Sequence, residues 1–271
     1  MYHIAANLPR EVLDKLSIAM VYNPDEEIGS VYSRETTDAI GRKADHIFVM
    51  ESAGQKGTRH CFARKGSLSY ELEFHGQAAH AGGSPELGKN VMLAVGTAIL
   101  NLYAIPRHSA GASRVNVGTV VAGSGRNVIA DEAKMEIEVR GETTEINQFM
   151  EEYAINVIEN AAKMHGCTSE MKLMGSAYSL TSDEALMERV KKVCEEHLHM
   201  PVSSQLTTKS GGSEDVSYMM RRVQEQGGQA TFMRVLTKEA GPGHSRIFDI
   251  DEKVLPNAVK IFCGTVYDIM K

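Results

Sequence analysis

Residues 67–76 read SLSYELEFHG. Leu68, Tyr70, Leu72 and Phe74 alternate with Ser69, Glu71, Glu73 and His75, the two-residue period of a strand with one buried and one wet face. The stretch 88–105, GKNVMLAVGTAILNLYAI, places apolar residues at helical spacing and stops before Pro106. Two further alternating runs follow, SRVNVGTVVAG (113–123) and EAKMEIEVRG (132–141), around the turn-rich GSGRNVIAD (123–131). A long amphipathic helix, EINQFMEEYAINVIENAAKMHG (145–166), ends at a glycine. The strand SEMKLMGSAYS (169–179) closes the set.

That order, β-α-β-β-α-β, is the ferredoxin-like split arrangement and occupies residues 66–177. Before it the sequence predicts part of a helix over Pro9–Leu16, a buried strand over Ile18–Tyr22, a short helix in SRETTDAIGRKA (33–44) and the strand HIFVM (46–50). After it come the helix SDEALMERVKKVCEEHL (182–198), the Gly-rich turn KSGGSED (209–215), the strand ATFMRVL (230–236) and a helix over 253–270. The simplest architecture is an α/β domain, residues 1–65 and 178–271, with the small α+β domain 66–177 inserted.

A chain of 271 residues, 42% hydrophobic and 24% charged, has ample material for such cores. Net charge is −6 with no basic block, which argues against a nucleic-acid or anionic-membrane partner. No apolar run approaches the roughly 18 residues that span a bilayer, and MYHIAANLPREVLDKL (1–16) lacks the pattern of a signal peptide. Cys61, Cys167, Cys194 and Cys263 are dispersed without CxxC spacing, so reduced thiols in a cytoplasmic protein are expected.

Chemistry-bearing residues collect after the outer strands. Asp25, Glu26 and Glu27 follow residues 18–22, Glu51 ends the 46–50 strand, and His244 lies just beyond the 230–236 strand. Open α/β sheets build sites at the carboxyl ends of their strands. Adjacent carboxylates repel one another unless a cation sits among them, and carboxylates with a histidine suit zinc or a similar divalent ion. A carboxylate left over can act as general base toward water. Read alone, the acid run is more simply a solvated turn, His80 a surface histidine and Arg140 a strand-end charge. SGGSED resembles an anion-cradling nest but lacks the Lys-Ser/Thr of a P-loop.

Five stretches in one order carry a resemblance: NPDEEIGS (23–30), HGQAAHAGGSPELGKN (75–90), AGSGRNVIADEAKMEIEVRG (122–141), GGSEDVSYMM (211–220) and GHSRIFDIDE (243–252). Together they resemble the dinuclear-zinc amidohydrolases and peptidases that include glutamate carboxypeptidase, aminoacylase and succinyl-diaminopimelate desuccinylase. The middle and C-terminal stretches are most similar to the p-aminobenzoyl-glutamate hydrolase A-subunit branch, and NPDEEIGS to the carboxypeptidase branch. The resemblance implies a zinc-peptidase-like α/β catalytic domain with an inserted dimerisation domain, acting as a homodimer on amide or peptide substrates with a terminal carboxylate. It implies two Zn2+ per complete site, with Co2+ or Mn2+ as alternatives.

Residue by residue, the resemblance makes Glu26 the general base. Glu27 and His244 become ligands of one zinc and Glu51 a ligand of the other. His80 in AAHAG matches a histidine that crosses a dimer interface to stabilise the partner site's oxyanion. Asn127 and Arg140 match groups that hold the substrate carboxylate, a task suited to the guanidinium fork, and Gly211 and Gly212 a backbone turn near the same end.

The chain also departs from the pattern. Members carry, upstream of the double glutamate, an HxD strand end and an aspartate bridging the metals; here MYHIAANL reads as the remainder of the helix after that aspartate. By this count one zinc keeps two protein ligands and the other only Glu51, where catalytic zinc generally takes three. The expectation is a hydrolase inactive as this lone, N-terminally truncated chain; the alternative is a non-catalytic dimerising or ligand-binding remnant.

Overall fold

The computed structural model describes residues 6–26, 30, 32–53, 57–61, 63–203, 213–237, 239–241 and 245–271. Two sheets organise them. The first contains β4 (Gly66–His75), β5 (Ser113–Ala122), β6 (Glu132–Gly141) and β7 (Thr168–Ala177), in the antiparallel order β5-β6-β4-β7. Helices α3 (Val91–Tyr103) and α4 (Thr144–Met164) pack on this sheet and on each other. The alternation in β4 and β6 does what the sequence predicts: Tyr70, Leu72, Phe74, Met135, Ile137 and Val139 are buried. Their intervening neighbours, from Glu71 to Arg140, take the opposite, polar face. Asn90 caps α3 by accepting from the Met92 N–H at 3.0 Å, and Thr143 caps α4 at the Ile146 N–H, 3.3 Å. Beyond α4, Gly166 adopts φ +69°, the left-handed conformation that a glycine tolerates without steric cost.

The second sheet has the order β1-β10-β2-β9, with β1 (His46–Ala53), β2 (Gly57–Cys61), β9 (Val202–Ser203) and β10 (Gln229–Leu236). β1 and β10 run parallel, β10 and β2 antiparallel. Helices α2 (Arg34–Gly41) and α6 (Ser217–Glu225) pack together beside it, and α5 (Glu184–Lys192) and α7 (Leu255–Met270) bring Val190 and Ile261 onto Met233 and Val235. Between the lobes, β3 (Ala63–Arg64) pairs antiparallel with β8 (Leu180–Thr181), so the chain enters and leaves the inserted lobe through one two-stranded neck. Small ribbons β11 (Glu239–Ala240) and β12 (Asp249–Ile250) flank residues 242–244.

The N-terminal expectations need correction. Residues 17–23 are not a buried strand: they carry no regular structure, and Met20, Val21 and Tyr22 are exposed by 43%, 40% and 79%. A strand needs a hydrogen-bonding neighbour, and no described strand pairs with this segment. The helix expected over Pro9–Leu16 shrinks to α1 (Arg10–Leu13), one turn whose Val12 packs on α7 through Cys263 and Val266. The 182–198 helix changes to π-type hydrogen bonding from Val193 to His197. Cys167, Cys194 and Cys263 are buried and form no disulfide among the described residues, and no described helix is long and apolar enough to cross a membrane.

Candidate active site

The parallel pairing of β1 with β10 aligns the ends of both strands: Glu51 lies opposite Arg234 and Ala53 opposite Leu236. Glu51 and the segment leading to His244 therefore leave the sheet at the same edge. Of the expected ligands, Glu27 and His244 lie outside the described residues, as do Gly211 and Gly212, and of Glu51 the backbone position alone is described. Glu26 is half-buried in a short helical turn. Among the described residues no three His, Cys, Asp or Glu side chains form a cluster able to hold a metal ion.

The described residues on either side of the acidic run are held by hydrogen bonds. One carboxylate oxygen of Asp25, which is buried, accepts from the Tyr32 N–H at 2.7 Å and the Ser33 N–H at 3.1 Å. The Ser33 side chain beside it and these two N–H groups hold the carboxyl below the ordinary carboxylate range, against the opposing effect of burial. The Ser30 N–H donates to the Asp25 carbonyl at 2.9 Å. Ser30 is buried with φ +56°, a conformation unusual for a side-chain-bearing residue and costing of order 1–3 kcal/mol. Its hydroxyl donates to Asp215 Oδ2 at 2.5 Å and accepts from Asn23 Nδ2 at 3.0 Å, and Asn23 Nδ2 also donates to Asp215. Among the described residues, two buried oxygens of the acidic segment, Asn23 Oδ1 and Asp25 Oδ1, have no hydrogen-bond partner, and oxygen acceptors of this kind are chemically suited to a divalent cation.

In the inserted lobe, His80 and Asn127 come together. His80 bridges to Val128, and the Ala81 N–H donates to the Asn127 carbonyl at 2.9 Å. His80 Nδ1 accepts from the Gly82 and Gly83 N–H groups at 3.1 and 3.0 Å. Two donors on Nδ1 put the ring proton on Nε2, which leaves a donor on an exposed side chain. Asn127 is exposed. Arg140 sits on the polar face of its sheet. It donates from Nη2 to Glu138 Oε2 at 2.8 Å and also from Nε to the same carboxylate, and Nη1 lies 3.5 Å from Ser213 Oγ. The Glu138 carboxylate raises the guanidinium pKa further, against the effect of burial.

Ser213, Glu214 and Asp215, whose motif suggests in sequence only a backbone turn, prove to be junction residues. Ser213 approaches Arg140, Asp215 holds the acidic turn, and Glu214 pairs with Arg64 in the neck at 2.8 Å. Two acids after Gly-Gly are the available signal, but their partners are far away in sequence. Two larger concavities contain none of the candidate residues. One of about 780 Å³ lies among α2, α4 and α6, and an apolar one of about 770 Å³ lies along α7.

Comparison with known proteins matches residues 62–165 to the M20 peptidase dimerisation domain. The chain is 42% identical over 202 residues to an indole-3-acetyl-aspartic acid hydrolase of Enterobacter agglomerans, covering 73% of this chain and 46% of that protein. It is 35% identical over 253 residues to the A-subunit of the p-aminobenzoyl-glutamate hydrolase of Escherichia coli, covering 92% and 58%. It thus spans about half the length of these relatives. Among solved structures, an aminobenzoyl-glutamate utilization protein from Klebsiella pneumoniae superposes with a TM-score of 0.71 at 31% identity, over 85% of this chain and 56% of that one. A Bacillus subtilis protein described as a dinuclear metal-binding peptidase of the M20 family superposes at 0.69 with 20% identity, over 92% and 64%. Residues 62–165, the greater part of the inserted lobe, thus carry the dimerisation domain of the M20 peptidases, and over its wider length the chain is similar to hydrolases and peptidases that share this architecture.

Proposed function

We propose that this chain belongs to a metal-dependent hydrolase that cleaves the amide between an acyl group and a carboxylate-bearing amino acid. The observation that carries the reading is the pair of relatives at 42% and 35% identity, whose names specify an N-acyl aspartate and an N-acyl glutamate. Both substrates present a free carboxylate, and Arg140, on the polar sheet face and within 3.5 Å of Ser213, is the cation suited to receive it.

Glu27, Glu51 and His244 would hold the metal, which when bound supplies Lewis acidity toward the scissile carbonyl and the attacking water. Zinc fits the donor set, with cobalt or manganese as substitutes. Glu26 takes the proton of the water as the C–O bond forms and the carbonyl oxygen becomes an oxyanion; it then returns that proton to the amide nitrogen as the C–N bond breaks, so the free amine leaves neutral. His80 donates its Nε2 proton in a hydrogen bond to the oxyanion of a partner protomer. Arg140 and Asn127 hold the substrate carboxylate, and the turn of Gly211 and Gly212 closes the same end.

The partner is a second copy of the chain. β5 is an edge strand, and exposed apolar residues gather on it and on α3: Val120, Val121, Leu93, Leu100 and Tyr103. An unpaired edge with an apolar flank favours pairing across a two-fold axis. We place the domain boundaries at 65/66 and 177/178, and the protein in the cytoplasm on the strength of its dispersed cysteines. Release of amino acid from p-aminobenzoyl-glutamate, indole-3-acetyl-aspartate and the matching decarboxylated amides tests the function. Cleavage of the two acids and not of the amides is expected; equal cleavage, or none with metal supplied to a complete ligand set, would sink it.

A further inference from the structure

The turn that carries Glu26 and Glu27 follows a segment without a strand partner among the described residues, so the sheet does not fix it. It is fixed instead at both ends by carboxylates. Asp25 gathers the N–H groups of Tyr32 and Ser33 from within the turn. Asp215, almost two hundred residues away in sequence, gathers the Asn23 amide and the buried Ser30 hydroxyl on a single oxygen. A carboxylate suits that role because it accepts from several donors without presenting one of its own. We propose that Asp215 is a positioning residue for the hydrolysis, clamping the acidic turn so that Glu26 meets the attacking water in one place. This inference rests on the reading of Glu26 as general base. The same tripeptide ties Ser213 to Arg140 and Glu214 to Arg64. The clamp therefore also fixes the acidic turn relative to the group that receives the substrate carboxylate, which is the distance a bound substrate must span.

Positioning makes a demand that a purely structural role does not. Displacing a catalytic group by about 1 Å costs on the order of a hundredfold in rate without weakening substrate binding. Asp215→Ala should therefore lower kcat by about a hundredfold while KM stays within about twofold. Asp215→Asn, whose amide oxygen can still accept both donors, should retain an intermediate rate. The test compares these variants and Asn23→Ala with the wild type in steady-state kinetics, with metal and the complete ligand set supplied, alongside amide hydrogen exchange of Ser30, Tyr32 and Ser33. Faster exchange at those amides in Asp215→Ala, together with a selective loss of kcat and a non-additive Asp215→Asn/Asn23→Ala double variant, is the expected result. Unchanged exchange, or a rise in KM with kcat preserved, overturns the proposal. If Asp215→Ala does not fold, Asp215→Asn and Asn23→Ala decide by the same readouts. A wild type that cleaves no amide, with exchange still faster in the variants, contradicts the hydrolase reading and with it the catalytic purpose of the clamp, while the clamp itself stands. Cleavage by the wild type with exchange unmoved in the variants contradicts the clamp alone.

Discussion

Arg64 and Glu214 form an ion pair, Nη2 to Oε1 2.8 Å, inside the neck that joins the two lobes, with side chains 8% and 13% exposed. The guanidinium also lies over the Phe232 ring, 5.0 Å from its centroid. Removing one partner of such a pair weakens the compensation of a charge held out of water. Glu214→Ala should destabilise the protein by about 3–5 kcal/mol, and the Arg64→Met/Glu214→Leu double replacement by much less. Denaturant unfolding of the single and double variants checks this; an equal loss in both would show that the neck depends on charge rather than on packing.

Arg140 already has one carboxylate, that of Glu138, so the substrate must share or displace it. Arg140→Ala should raise KM about ten- to a hundredfold, the equivalent of losing one charge-assisted contact of about 1.5–3 kcal/mol, with kcat less affected. Glu138→Gln should lower KM, because it removes the competing anion. Steady-state kinetics on p-aminobenzoyl-glutamate decide both, and an Arg140→Ala enzyme with unaltered KM refutes the assignment.

On the proposed reading His80 acts across the dimer; among the described residues its own protomer holds the ring by Nδ1, through the Gly82 and Gly83 N–H groups. His80→Ala should cost about 10²–10³ in kcat. Mixing inactive His80→Ala and Glu26→Gln protomers should restore activity, because a mixed dimer contains one site with both groups. No recovery after protomer exchange is verified would place His80 outside the reaction. The charged pair Leu100→Glu/Val121→Lys should yield monomers by light scattering and abolish the recovery.

The inserted lobe is legible in the sequence because both of its periodicities are unambiguous and its caps, Asn90, Thr143 and Gly166, stand where the periods change. The outer lobe is harder to read. The apolar run Ile18–Tyr22 has strand composition, but pairing is a tertiary property, and in the described fold it has no partner. Conversely, Gly57–Cys61 and Val202–Ser203 give no strand signal of their own and become strands by lying beside β10 and β2. The candidate catalytic residues are legible through motif order alone. The role of Asp215 is not, because the contacts that define it join residues 185 and 192 positions apart.

Asp38 gives the fold an acid-sensitive contact between α2 and α6. Hydrogen bonding from Arg222 at 2.7 Å lowers its pKa below the ordinary 3.8 against the opposing effect of desolvation, and a second hydrogen bond from Arg42 adds to the lowering. A depressed carboxylate stabilises the folded state above its unfolded pKa and loses that contribution as pH falls through the folded value. The wild type should therefore lose stability below about pH 4, and Asp38→Asn should be less stable at neutral pH with a shallower acid limb. Parallel acid titrations followed by circular dichroism check the sign; identical limbs would contradict it.

The central claim is that the acidic turn and the strand-end ligands run a metal-dependent amide hydrolysis. The most direct measurement is glutamate release from p-aminobenzoyl-glutamate, together with zinc bound per chain. Both are followed on the 271-residue chain alone and after adding the part of the E. coli p-aminobenzoyl-glutamate hydrolase relative that the chain does not span. Weak zinc binding and no release are expected of the chain alone. With the added part, tight binding is expected, and release that chelation abolishes, zinc restores and Glu26→Gln eliminates. Release that persists through chelation or through Glu26→Gln would contradict the claim.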